Sequence, residues 1–179
     1  SHEAVVRCQL EALQPDLSAA DLNVLVGHAF VLGCRESESE RPLTVGGSGT
    51  VPSSLFDGFD YVALGHLHEP QQAGGERVCY AGSLLKYSFN EAAQRKSVTL
   101  VDIDLDRSLQ TRDVQLPVRR DVVRLRGLFA ELLAAPQLTA AEAYVEVVLT
   151  DPEPVLDPVT KLREVYPHLL SLRREGSSG

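Results

Sequence analysis

Two hydrophobic runs that each end in Gly-His place the tightest limits on how this chain can fold. Leu22-Asn23-Val24-Leu25-Val26 leads into Gly27-His28, and Tyr61-Val62-Ala63-Leu64 leads into Gly65-His66-Leu67-His68. Short apolar runs stopped by glycine predict buried strands. Open α/β sheets carry their sites at the carboxyl ends of such strands. Residues i and i+2 of an extended strand point to the same face, so His66 and His68 are expected to leave the strand end side by side. Neutral imidazole binds zinc and manganese well, and a pair presented by one strand end loses little entropy on chelation. His28, His66 and His68 are therefore the candidate metal ligands. Hydrolysis of phosphate esters usually employs two metals about 3.5–4 Å apart, completed by carboxylates. No obvious carboxylate partner stands at a strand end here.

The rest of the chain reads as an α/β protein in two parts. Ala4 to Leu13 has Val5, Cys8, Leu10 and Leu13 near helical spacing, and Pro15 closes the helix. Strands are predicted over 22–27, 59–64 and 78–80. A strand over 97–104 pairs with 111–116 through a turn near Asp106-Arg107-Ser108. Residues 35–52, with Glu36-Ser37-Glu38-Ser39-Glu40-Arg41 and Gly46-Gly47-Ser48-Gly49, read as a long loop beside the presumed site. These segments make residues 1–116 one layered domain. From 117 to 175 the pattern becomes strand 122–125, helix 127–134 (Leu128, Phe129, Leu132, Leu133 on one side), strand 144–149, a helix with Asp157 as N-cap and Pro158 at its first position, and strand 169–172. Val159, Leu162, Val165 and Tyr166 form the buried stripe of that second helix. The order β-α-β-α-β predicts a small two-layer satellite domain, and residues 176–179 are expected to be a disordered tail.

Composition restricts partners more than fold. A net charge of −8, with 9 Lys/Arg against 16 Asp/Glu in residues 1–116, argues against gripping nucleic acid by electrostatics alone. No apolar run approaches the ~20 residues that span a bilayer, so no membrane role is expected. Three scattered cysteines, Cys8, Cys34 and Cys79, without Cys-x-x-Cys spacing indicate neither a disulfide framework nor a cysteine zinc site, and fit a reducing cytoplasmic setting. The chain has no methionine and opens with Ser1-His2-Glu3, which reads as a piece of a longer polypeptide.

Each singled-out residue also has an ordinary reading. A histidine after a strand is often a loop residue whose ring satisfies a nearby carbonyl, and His28 taken alone could be that. In Gly-His-x-His the glycine, spacing and strand end coincide, which favours a ligand pair. His2 and His168 read as surface or packing residues, the Glu/Ser run at 36–40 as a solvated loop, and Arg119, Arg120, Arg124 and Arg126 as surface charge rather than a phosphate-contacting edge.

Several segments carry a closer likeness: Val26-Gly27-His28-Ala29-Phe30, Ser37-Glu38-Ser39-Glu40-Arg41, Phe59 through His68, and Tyr80-Ala81-Gly82-Ser83-Leu84 through Ser88-Phe89-Asn90-Glu91. They resemble the carboxyl half of SbcD-type nuclease subunits, which are calcineurin-like metallophosphoesterases. The tail, with Tyr144 through Asp151 and Lys161 through Pro167, resembles that family's capping domain. The resemblance implies the carboxyl half of a layered β-sandwich over 1–116 and a capping domain over 117–175. It implies two manganese or magnesium ions, with His28 and His66 on one and His68 on the other. The implied activity is hydrolysis of DNA phosphodiesters, as an ATP-assisted exonuclease on double strands and an endonuclease on single strands and hairpins, in DNA repair, recombination and replication. Implied partners are an SbcC-type ATPase, DNA ends and hairpins, and a second copy of the intact subunit. The family's Asp-x-His, Gly-Asp-x-x-Asp and Gly-Asn-His-Asp elements, which supply the bridging carboxylate and a transition-state histidine, do not occur in these residues. No catalytic residue is thus assigned here, and this polypeptide alone is expected to have little nuclease activity. The ATPase-docking segment that the family places after the capping domain is likewise not among these residues. Two other readings stay open: a calcineurin-like phosphodiesterase acting on small substrates, and a metal-free scaffold fragment that docks partners.

Overall fold

The structure, a computed structural model, describes residues 1–37, 39–40 and 49–176, with the backbone alone at 138 and 139. Glu38, Arg41 and most of the expected tail lie outside the described residues. The protein is a mixed α/β chain with several sheets and few helices. It divides into two compact units, Ser1–Leu85 with Arg95–Leu116, and Lys86–Gln94 with Pro117–Gly179.

The first unit opens with α1 (His2–Leu13), whose N-cap Ser1 accepts the Ala4 N–H. Its inward stripe is Val6 and Leu10, four apart on one face, while Val5 and Cys8 are exposed. The stripe predicted from Val5 and Cys8 is therefore turned by about one position, because alanine and valine at 4–6 blur the helical period. Burying a valine or leucine side chain of this kind contributes about 1.5–3 kcal/mol.

Strand β1 (Val24–His28) is followed closely by the short β2 (Phe30–Val31), and β2 pairs in parallel with β3 (Thr50–Val51). β4 (Tyr61–Gly65) pairs in parallel with β1, in register from Val24 opposite Tyr61 to His28 opposite Gly65. β5 (Gln71–Gln72) and β6 (Val78–Tyr80) complete a sheet of order β1-β4-β6-β5, in which only β5 is antiparallel. Val31, Val51, Val62, Leu64, Leu67 and Tyr80 form its core. On the outer strand β1, Val24 and Val26 are exposed. β7 (Ser97–Ile103) and β8 (Leu109–Gln115) form the expected antiparallel hairpin. Its turn places Arg107 at φ 67°, and the Asp106 carboxylate accepts the Ser108 N–H at 2.9 Å.

That turn is fastened by charge. Asp60, buried just before β4, accepts the Asn23 N–H at 2.8 Å and an Arg107 guanidinium N–H at 2.7 Å. Arg107 also donates to the carbonyls of Ala19 and Asp21, and Arg77 donates to those of Asp60 and Arg107. The Asn23 amide first, then Arg107 and Arg77, hold the Asp60 carboxyl below the usual carboxylate range.

The second unit is built from β9 (Val122–Gly127), α2 (Phe129–Ala134), α3 (Leu138–Ala141), β10 (Tyr144–Leu149), α4 (Pro158–Val165) and β11 (Leu169–Arg174). The strands form one parallel sheet of order β11-β10-β9. Parallel pairing requires crossover connections, which the helices provide. Val145, Val147 and Leu149 are buried with Leu125, Leu132, Leu162 and Tyr166 in one core. Leu128, predicted on the inward side, is exposed at the helix boundary. Asp157 precedes Pro158 as expected but at φ 48°, and its side chain makes no capping bond. The capping carboxylate instead belongs to Asp151, which accepts the Phe129 N–H of α2 at 2.9 Å. On the opposite side of β10, buried Glu146 pairs with Arg124 of β9 and with Arg173 of β11 at 3.1 Å, and accepts the Ser171 hydroxyl.

Candidate metal-binding site

Parallel pairing of β1 with β4 sets His28 directly opposite Gly65, so the two Gly-His endings arrive at one sheet edge. A side chain at position 65 would put its Cβ 3.0 Å from Nδ1 of His28, so any residue but glycine there requires that ring to shift by a few tenths of an ångström. The rings of His28 and His66 meet edge to face with centroids 5.4 Å apart, and Phe30 lies against His66 at 5.7 Å. Nε2 of His66 is buried without a hydrogen-bond partner among the described residues. A buried imidazole nitrogen without a partner is costly unless something occupies it. Burial foremost, then the neighbouring His28, pushes the His66 imidazolium below its usual range, which favours the neutral, metal-competent ring.

The expectation that His66 and His68 project from one strand face is corrected. β4 ends at Gly65, and His66 adopts φ 112°, a conformation that side-chain-bearing residues rarely take. Strand alternation therefore stops before the pair. Such strain costs about 1–3 kcal/mol and concentrates at functional sites.

His68 is held from four directions. Its N–H donates to the Glu40 carboxylate at 2.6 Å, and its carbonyl accepts from Lys96 Nζ at 2.8 Å and from the Ser83 N–H at 3.1 Å. Its ring Nδ1 lies 2.9 Å from the Ser39 hydroxyl, a contact that fixes the orientation of the ring. Gly82, at φ 81°, has no room for a side chain, because a Cβ would stand 2.7 Å from the His68 carbonyl oxygen. Ser37 also donates to Glu40 through both its amide and its hydroxyl, at 2.7 Å for the hydroxyl. Glu40 is buried, so the Glu/Ser run, read as a solvated loop, supplies instead a carboxylate and a hydroxyl that position His68. Its signals in the sequence were proximity to the expected site and its place among the segments that carry the family resemblance.

Among the described residues no group of three or more His, Cys, Asp or Glu side chains is arranged to hold a metal ion. The structure thus brings His28 and His66 together and holds His68 on its own set of bonds. Tyr80 and Lys96 were missed altogether. Tyr80, buried under the sheet, donates its hydroxyl to the Ala29 carbonyl at 2.7 Å and accepts the Val31 N–H at 2.9 Å. Burial pushes its phenol well above the ordinary tyrosine value, so it stays a neutral donor. Three of the four arginines singled out in the second unit are engaged by protein groups: Arg120 with the Glu142 carbonyl and over the Tyr144 ring, Arg124 with Glu146 and Asn90, and Arg126 with Glu175. His168 packs edge to face on Tyr144. No helix among the described residues is long and apolar enough to cross a membrane.

Residues 118–179 match the family model SbcD_C, described as the type 5 capsule protein repressor C-terminal domain. The match covers β9 through β11, the whole of the three-stranded parallel sheet and its helices.

Proposed function

We propose that this chain, whose carboxyl-terminal region is of the SbcD nuclease type, is part of the nuclease subunit of an SbcCD-like complex that hydrolyses DNA phosphodiesters in repair and recombination. In this reading the first unit is the carboxyl half of a calcineurin-like layered sandwich and the second is a capping domain. The intact subunit works in the cytoplasm as a homodimer with an SbcC-type ATPase, on double-stranded ends and hairpins.

The observation that carries the metal-site reading is the buried Nε2 of His66, which has no partner among the described residues, beside the His28 ring. A neutral His66 ring with one nitrogen already stripped of water, set against a second imidazole, suits a transition-metal cation such as manganese better than a purely packed pair. His28 and His66 would hold one cation and His68 the other, with the remaining ligands supplied from upstream of Ser1. When bound, the cations activate water and offset charge building on the phosphate. The chain's own residues orient the donors: Gly65 leaves room for the His28 ring, Ser39 holds the His68 ring through Nδ1, and Glu40 and Lys96 fix the His68 peptide.

Calorimetric titration of the chain with manganese, beside a His28/His66/His68 triple alanine variant, tests the reading. Weak saturable heat in the wild type and none in the variant is expected. Equal heats would favour the scaffold reading. Degradation of DNA by this chain alone, abolished by His66→Ala, would overturn the view that its ligand set is incomplete.

A further inference from the structure

Between His28 and Phe30 the chain changes partners: β1 is hydrogen-bonded to β4, whereas β2 is hydrogen-bonded to β3. A switch of this kind leaves the intervening peptide groups without a ladder. Here they are buried, Ala29 being 3% and Val31 0% exposed, so water cannot serve them. The Tyr80 hydroxyl fills both vacancies at once, donating to the Ala29 carbonyl and accepting the Val31 N–H. It reaches them from β6, with β4 lying between it and β1 in the sheet. The two peptides it fastens flank Phe30, the residue packed on His66, and the first begins one residue beyond His28.

We infer that Tyr80 is a positioning residue for the His28–His66 pair, its hydroxyl fixing the β1–β2 switch so that the two imidazoles stay in edge-to-face contact. The inference rests on the proposed metal site but concerns a separate link. One hydroxyl controls where one ring stands and, through Phe30, what packs on the other. A merely structural role would lower stability throughout the first unit and leave the ring contact unchanged whenever the protein is folded.

The test is Tyr80→Phe in the full chain, read by nuclear magnetic resonance without metal and then with manganese ions. The expected result is loss of the cross-peak between the His28 and His66 rings. Exchange of the Val31 amide should quicken by about tenfold or more, as loss of one buried hydrogen bond implies. The Val62 amide and the β7–β8 amides should quicken less than the Val31 amide, by no more than the variant's overall loss of stability. Manganese should then broaden the His66 ring signal less than in the wild type. An unchanged His28–His66 cross-peak in the folded variant overturns the inference. Should Tyr80→Phe fail to fold, the wild type carries the test: the Tyr80 hydroxyl proton should give a slowly exchanging signal with a cross-peak to the Val31 amide, and its absence overturns the inference. A wild type whose His28 and His66 signals ignore manganese while their rings remain in contact speaks against the metal site itself, and the Tyr80→Phe cross-peak still decides the role of the hydroxyl.

Discussion

His66 gives the sharpest stability prediction, because its backbone and its side chain pull in opposite directions. At φ 112° a residue with a Cβ is strained by about 1–3 kcal/mol, whereas glycine is not. At an ordinary position glycine is less stable than alanine by about 0.5–1 kcal/mol, because its unfolded chain is freer. Subtracting the second quantity from the first leaves glycine ahead at position 66 by roughly 0.5–2 kcal/mol. Both His66→Gly and His66→Ala lose the contacts with His28 and Phe30, so that loss cancels in the comparison. Hydrogen exchange at the Val62 amide, which donates to the Arg77 carbonyl at 2.7 Å, reads the first unit's opening free energy directly. The glycine variant should exchange more slowly than the alanine variant by about twofold to thirtyfold, 1.4 kcal/mol being a factor of ten. Equal rates, or faster exchange with glycine, would refute the claim that His66 is strained.

Three further outcomes follow from bonds at other places. Because the folded Asp60 carboxyl titrates below its unfolded value, its contribution to stability is complete above about pH 4 and fades as pH falls through the folded value. Asp60→Asn should cost the first unit about 2 kcal/mol near neutrality and flatten its acid unfolding curve, whereas an unchanged acid slope would show that Arg107 is not held by that charge. Glu146→Ala removes the buried partner of the solvent-reachable Arg124 and Arg173 and should destabilise the second unit by about 1 kcal/mol, read as faster exchange of β10 amides; unchanged exchange would make the ion pairs incidental. Gly65→Ala should cost the fold less than about 1.5 kcal/mol and shift the His28 ring, so that its proton resonances move, and unchanged His28 ring resonances would contradict the steric argument.

What could be read from the residues was whatever depends on local period. The alternation of Ser97–Ile103 and Leu109–Gln115, the apolar run of Tyr144–Leu149 and the Val159/Leu162/Tyr166 stripe all fixed elements that the structure contains. Reading His66 and His68 as a strand pair failed because a dihedral angle, not a hydrophobic pattern, ends β4. Asp157 looked like a cap because composition favours it, but its left-handed backbone turns the carboxylate elsewhere, and a residue 22 positions beyond Phe129 serves α2 instead. Glu40 and Tyr80 were illegible for a common reason. Each acts on backbone groups 28 to 51 residues away, and only the assembled sheet reveals which peptides those are.

The outer position of β1 bears on how the molecule can be handled. Val26 is 79% exposed and Val24 52% exposed, both on a strand that among the described residues is bonded along one side only. An uncovered strand edge with neighbouring valines is a template for adding a further strand. Samples concentrated for spectroscopy should therefore associate through this margin. A lysine in place of Val26 interrupts the apolar strip without touching β4, and so keeps the isolated chain dispersed.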